Sequence, residues 1–268
     1  MEKNEPILLF SAGKMFMEYS LALLENLKAV GVGTEHIPIL KGVPTGIAMI
    51  TVGDNDNTII VVPGANGKVD RAYIDSIKSE LEKFDMVVLQ HEIPLETVHY
   101  VIEFCYEKGI KIVLNPAPAA AVPMEIIDKV TYVTPNEHEA VLIFGDELST
   151  EDLLRKYPEK LVITQGSRGV STCLKDGQIL NVPARKAQVV DTTGAGDTLN
   201  GAFSVQIAEG KAIEDALAYA NVAASLSTEK FGAQTGMPTR EEVETALKIL
   251  NGESVEKEIP VEMELITK

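Results

Sequence analysis

Residues 189–203 read VVDTTGAGDTLNGAF, and the rest of the chain is organised around them. Val189 and Val190 read as the end of a buried strand. Gly194-Ala195-Gly196 makes a tight turn, and from Thr198 to Ala208 small and apolar residues recur at helical spacing. A glycine-rich turn feeding a helix N-terminus leaves backbone N–H groups unpaired. With the positive end of the helix dipole, they form a site for a phosphate or a developing anion. Asp197 stands in that field and reads in two ways. It is the N-cap of the helix, or it is a carboxylate that accepts the proton of an alcohol beside a bound phosphate.

Outward from this stretch, strand and helix patterns alternate. Leu21–Val30 is an amphipathic helix stopped by Gly31, and Ile7–Phe10 is a short apolar strand. IPILKGVPTGIAMITV (37–52) and NTIIVVPGANGKV (57–69) are β-rich runs separated by the turn-forming GDND, a hairpin signal over 37–69. A helix over 70–83 precedes the buried strand MVVLQHE (86–92). Next come a helix over Leu95–Lys108, a strand and loop KIVLNPAP (111–118), and a short helix Glu125–Lys129. TYVTPNE (131–137) leads into the helix HEAVLIFG (138–145), LVITQG (161–166) is another strand, and STCLKDGQILNVPA (171–184) is a hairpin. Helices over 198–208, 213–229 and 240–250 close the chain. Such alternation predicts one α/β domain over 1–268, a mostly parallel sheet with helices on both faces, and 37–69 as a small lid within it. Ligands in open α/β sheets gather at the carboxyl ends of the strands. QHE, NPAP, TPNE, TQGSRG and GAGD all fall at such ends in this reading and make one rim.

Composition narrows the chemistry. Forty acidic residues against 24 basic give a net charge of −16, which argues against nucleic acid or an anionic membrane surface as a partner. Cys105 and Cys173 lie far apart in apolar segments, as buried free thiols of a reducing cytosol do. The four histidines have no metal-ligand spacing, and neither a membrane-spanning run nor a signal-peptide pattern is present. The expected location is cytoplasmic.

DTTGAGDTLNGAF closely resembles the C-terminal signature of the ribokinase-like (PfkB) carbohydrate kinases. From about residue 21 to 250, GVPTGIAMITV, IIVVPGAN, LQHEIPLETV, LNPAPA, VTPNEHEA, TQGSRGV and FGAQTGMPTREEV follow in that family's order. NPAPA and GAQ are closer to its ribokinase branch than to fructokinase or nucleoside-kinase relatives. The resemblance implies transfer of the ATP γ-phosphate to the 5-hydroxyl of D-ribose, with Mg²⁺ on the nucleotide and K⁺ as a monovalent activator. It makes Asp197 the base, and the amides of Gly194, Ala195 and Gly196 the anion hole. Asn136 and Glu139 match an NxxE motif near the phosphates, with Glu139 acting through water on Mg²⁺; a plain helix cap is the alternative for the pair. Thr164, Gly166, Ser167 and Gly169 belong to the loop along the nucleotide, where the glycines admit close backbone approach. Asn221 falls at a position that contacts the adenine or its ribose, and Glu92 at one that contacts the sugar. Asp191, Thr193, Ser227, Lys230, Gly232 and Gly236 match the K⁺ positions. A homodimer through the lid is a further possibility of the family.

The same resemblance has a gap. Neither the N-x-D strand that opens the family nor its GGKGANQA-type sugar-binding segment occurs here, as though roughly 50–60 residues ahead of the helix 21–30 were absent or replaced. Loss of a first central strand leaves its neighbour with an unpaired edge and exposed apolar surface. The alternatives to a ribose kinase are therefore a truncated, non-catalytic nucleotide-binding remnant, or a kinase for another sugar or a nucleoside.

Overall fold

A computed structural model of the chain describes residues 12–13, 17–53 and 56–252. Ala12–Gly13 (β1) precedes the helix Met17–Ala29 (α1) and pairs in parallel with Ile39–Leu40 (β2). Leu24 and Leu27 of α1 close over Ile37. Ile47–Gly53 (β3) and Asp56–Val62 (β4) form an antiparallel hairpin, in register from Ile47 opposite Val62 to Gly53 opposite Asp56. The hairpin expected over 37–69 is present, with strands shorter than the apolar runs. Its base is pinched: the Ala65 N–H donates to Pro44 O at 2.8 Å, and a Cβ on Gly64 (φ +53°) would stand 2.4 Å from that oxygen. Only glycine closes the hairpin there. The expected strand at residues 7–10 lies outside the described residues.

The main body then follows the expected alternation. Arg71–Leu81 (α2), capped by Asp70, leads to Met86–Leu89 (β5), Leu95–Lys108 (α3) and Lys111–Leu114 (β6). Met124–Ile127 (α4), Tyr132–Val133 (β7), Glu137–Phe144 (α5) and Thr150–Lys156 (α6) come next. Val162–Thr164 (β8), Val170–Cys173 (β9) and Ile179–Val182 (β10) precede the helices Ala195–Ala208 (α7), Ile213–Ser227 (α8) and Arg240–Leu250 (α9). β5, β6 and β7 are parallel neighbours, and a parallel bridge from Val133 to Leu161 joins them to β8. β9 and β10 run antiparallel to their neighbours.

Side-chain alternation along the strands divides the core in two. Val87, Leu89, Ile112, Leu114, Val133 and Ile163 point into the layer built with α2, α3 and α4. Val113, Val162 and Val170 point into the layer of α7 and α8, around Phe203 and Leu217. This is the α/β class the sequence predicts. Cys105 and Cys173 are free and buried, and burial pushes the Cys105 thiol up to about 12, beyond reactivity at neutral pH.

The structure corrects the sequence at several points. Val189 and Val190 belong to no strand. They are each 62% exposed, and the segment is held instead by Val190 and Asp191 N–H bonds to Thr228 O at 2.8 and 3.2 Å. The parallel run stops at β8. α6 was not anticipated, although Ser149 signals it by capping the Asp152 N–H at 3.1 Å. α7 starts at Ala195, with Gly194 (φ +81°) as its N-cap, so Asp197 lies within the first turn and is not the cap. Among the described residues β5 is paired on one side only, and Val88 on it is 41% exposed.

Candidate active site

The loops after β5 and β7 meet the start of α7 through Gln90 and Thr134, and backbone bonds knit the neighbouring loops of the rim. Asn115 N–H donates to Leu89 O and His91 N–H to Ala117 O, both at 2.9 Å. Thr164 N–H donates to Pro135 O at 2.9 Å, bringing the TPNE and TQGSRG loops side by side. GAGD joins this rim from the long loop after β10, not from a strand of the sheet.

Buried polar contacts hold the α7 turn. Thr134 Oγ1 donates to Asn200 Oδ1 at 2.6 Å, and Asn200 Nδ2 donates to Gly196 O at 2.9 Å. Thr134 and Asn200 are both buried, so each polar atom needs its partner. The Thr198 N–H is the amide that bonds back to Gly194 O, at 2.8 Å, and the Ala195 N–H turns to Thr192 O at 3.2 Å. Gly196 and Asp197 thus sit ahead of the i→i−4 ladder, where helix amides face outward. A Cβ built on Gly196 meets nothing within 4 Å, so the space over the turn is open. Asp197 is exposed, and its Oδ1 accepts from Gln90 Nε2 at 2.7 Å. Glu92, two residues beyond Gln90, has its carboxyl raised above the usual range, first by burial and then by the Asp197 charge. It lines a cavity of about 270 Å³ between α1 and the hairpin, with Leu24, Leu27, Ile37, Ile47 and Val62 on the walls.

Asn136 and Glu139 form a complete capping box on α5: Asn136 Oδ1 accepts from the Glu139 N–H at 2.9 Å, and Glu139 Oε2 accepts from the Asn136 N–H at 2.8 Å. Glu139 is only 8% exposed, and burial raises its carboxyl, against the opposing effect of the Asn136 N–H. The folded protein therefore holds this proton to higher pH than the unfolded chain, and this group's effect on stability worsens as pH rises through the window just above the ordinary glutamate range. Glu139→Gln keeps the acceptor for Asn136 without the buried charge. Its melting temperature at neutral pH is expected to equal or exceed the parent's, with a flatter pH dependence above that range, and a pH series of melting curves checks it.

Gly166 and Ser167 lie exposed in a tight turn, and Arg168 of that turn pairs with Glu137 of α5 across the rim. Gly166 (φ +55°) has open space at its Cβ position. Gly169 (φ +97°) is different: a Cβ there would stand 2.0 Å from Val182 O. Its need for glycine arises inside the protein. Asn221 is also occupied within the fold, its Nδ2 donating to Val182 O at 3.2 Å and Pro183 O at 2.7 Å. The structure brings Asn136, Glu139, Thr164, Gly166 and Ser167 onto the rim, and Asp197 is bonded to Gln90 and close enough to Glu92 for its charge to be felt there; Gly169 and Asn221 instead brace the wall at 182–184.

A second cluster surrounds Gly236. A Cβ there would stand 2.7 Å from Ser227 O, 2.8 Å from Gly232 O and 3.5 Å from Lys230 O, so three carbonyl oxygens converge on one point. Asp191 ties this loop to the α7 turn. Its carboxylate accepts from Thr193 N–H and Gly232 N–H, each at 2.9 Å, and these bonds, the Thr193 ones foremost, hold it below the usual carboxylate range. Oxygen-only donors suit a hard cation.

Thr134 and Asn200 fall within the TPNE and DTTGAGDTLNGAF stretches without a role of their own, their one signal being a polar residue in apolar surroundings, and Gln90 falls on the rim there without a role.

An open helix turn, a carboxylate within it and a glycine-rich loop on the same rim form an arrangement suited to binding and moving an anionic group. A family model described as pfkB family carbohydrate kinase matches residues 12–240. The chain is 48% identical over 239 residues to the ribokinase of Bacillus subtilis (strain 168), covering 89% of this chain and 81% of that one. It is 44% identical over 248 residues to the ribokinase of Lactococcus lactis subsp. lactis (strain IL1403), covering 92% and 81%. Among solved structures, a Thermotoga maritima ribokinase superposes with a TM-score of 0.78 at 34% identity, covering 90% of this chain and 81% of that one. Arabidopsis thaliana ribokinase complexed with ribose and ATP gives 0.81 at 28% identity, covering 91% and 82%. The chain belongs to the pfkB family of carbohydrate kinases, and within that family it is ribokinase-like. It is a kinase, an enzyme of the transferase class.

Proposed function

We propose that this kinase transfers the γ-phosphoryl group of ATP to the 5-hydroxyl of D-ribose, yielding D-ribose 5-phosphate. The observation that carries the proposal is the open first turn of α7, with Asp197 beside it. In this reading Asp197 takes the proton of the attacking hydroxyl, and the amides of the Gly194–Ala195–Gly196 turn, Gly196 first because the Ala195 N–H is shared with Thr192 O, stabilise charge on the phosphoryl group in flight. Positioning and electrostatics supply most of the rate in such transfers. Glu92, near Asp197 on the acceptor side, orients the sugar. Asn136, Thr164, Gly166 and Ser167 cradle the nucleotide, while Gly169 and Asn221 enter through the wall at 182–184 that they brace. The hairpin β3–β4 acts as the lid. Similarity to the Arabidopsis enzyme, solved with ribose and ATP, supports both substrates.

Mg²⁺ bound with the nucleotide would neutralise phosphate charge, and Glu139 is the carboxylate that would hold it through water. Loss of that carboxylate in Glu139→Gln is expected to weaken Mg²⁺ activation about 10–100-fold. The carbonyls of Ser227, Lys230 and Gly232 fit K⁺, with Asp191, Thr193 and Gly236 shaping the loop. A methyl at Gly236 fills that cradle. Gly236→Ala is therefore expected to lose K⁺ stimulation while retaining K⁺-independent turnover, as K⁺ titrations in sodium-free buffer would read; unchanged stimulation would remove these carbonyls from the site.

Acceptor-dependent ADP formation tests the function, measured with D-ribose, 2-deoxyribose, fructose and a nucleoside in turn. Preference for D-ribose is the expected result. Preference for another acceptor reassigns the substrate within the same class, and no turnover with any of them contradicts the assignment.

A further inference from the structure

The geometry points to Gln90 as the residue that positions Asp197 for catalysis. Gln90 Nε2 donates to Asp197 Oδ1 at 2.7 Å, across 107 residues of sequence. A carboxylate that acts as a base works through one oxygen at a time. Holding Oδ1 from the β5 side directs Oδ2 toward an acceptor hydroxyl and restricts rotation of the side chain, the kind of pre-alignment that raises turnover.

Both ends of this contact are fixed by other bonds, so the hydrogen bond is preorganised. On one side Leu89 O accepts from the Asn115 N–H, and the His91 N–H donates to Ala117 O, each at 2.9 Å. The residues flanking Gln90 are thereby clamped to the loop after β6. On the other side Asn200 Nδ2 holds Gly196 O at 2.9 Å, and Thr134 Oγ1 holds Asn200 Oδ1 at 2.6 Å. The end of β5 therefore delivers two groups to the site: Gln90 onto Asp197, and Glu92, two residues on, into the wall of the cavity between α1 and the hairpin.

Gln90 touches neither substrate in this scheme and acts through Asp197, so the inference rests on Asp197 being the base. Its test is the isosteric variant Gln90→Met, which keeps the length of the side chain and removes the donor, assayed beside the parent with ribose, ATP, Mg²⁺ and K⁺. Expected are a fall in kcat of about 10–100-fold, with KM for ATP and the melting temperature unchanged. Gln90→Glu, which sets a second carboxylate against Asp197, is expected to lose at least as much, again without loss of stability. Unchanged kcat in Gln90→Met, or a fall matched by lost stability and lost ATP affinity, overturns the positioning role and leaves the kinase assignment intact. An inactive parent chain overturns both.

Discussion

Asp197→Asn is expected to lower kcat by about 10²–10⁴-fold, the range by which a positioned general base contributes, while the affinity for ATP changes by less than about twofold. The reason lies in the geometry. The substitution is isosteric, its amide oxygen still accepts from Gln90 Nε2, and the α7 turn is held by Asn200 and Thr134 rather than by Asp197. What disappears is the ability to accept a proton. Because Asp197 is exposed and is not the helix cap, the change costs no more than the dipole contribution of a first-turn carboxylate, about 1 kcal/mol at most. Steady-state kinetics with calorimetric titration of ATP separates the two quantities. Retained turnover would take the role of base away from Asp197.

The largest expected effect on stability belongs to Gly169→Ala. At φ +97° and ψ −133° the backbone is in a region that essentially only glycine occupies. The added methyl would also stand 2.0 Å from Val182 O and 2.7 Å from Ala184 N, both backbone atoms that cannot rotate away. Strain and forced movement of the chain at 182–184 together are expected to cost at least about 3 kcal/mol. Gly177→Ala is the control. That glycine has φ +86° but nothing within 4 Å of its Cβ position, so only the conformational cost of about 1–2 kcal/mol remains. Urea denaturation of the two variants measures the difference. Equal losses would mean that the close approach of 182–184 is unimportant.

This glycine also marks how far the sequence could be read. Gly169 was recognised as necessary, but its neighbour is Val182, not a ligand, because spacing along a chain does not reveal which backbone lies opposite. α3 was legible residue for residue, since Pro94 and Gly109 bracket an amphipathic run. The start of α7 was misplaced because Gly194, in the left-handed region, looks like loop when it is in fact the cap. Val189 and Val190 look like strand by residue type alone, yet the bond partner of Val190 is Thr228 at the end of α8, which no local pattern reveals. The rim motifs were visible as a set. That Gln90 meets Asp197 was not, because the contact depends on how the β5 end docks against α7. The capping box of Asn136 and Glu139 was anticipated as an alternative to a metal role. The two are compatible, since the cap uses Oε2 of Glu139.

The proposed function turns on one step, the transfer of a phosphoryl group to a sugar hydroxyl at Asp197. The most direct measurement is phosphorus NMR of the products formed from ATP and D-ribose by the purified chain, with Mg²⁺ and K⁺, beside Asp197→Asn. D-ribose 5-phosphate is expected to accumulate in step with ADP in the parent and to be nearly absent in the variant. No sugar phosphate from the parent, while ATP still raises its melting temperature, would rule out this transfer and leave a chain that binds nucleotide without using it.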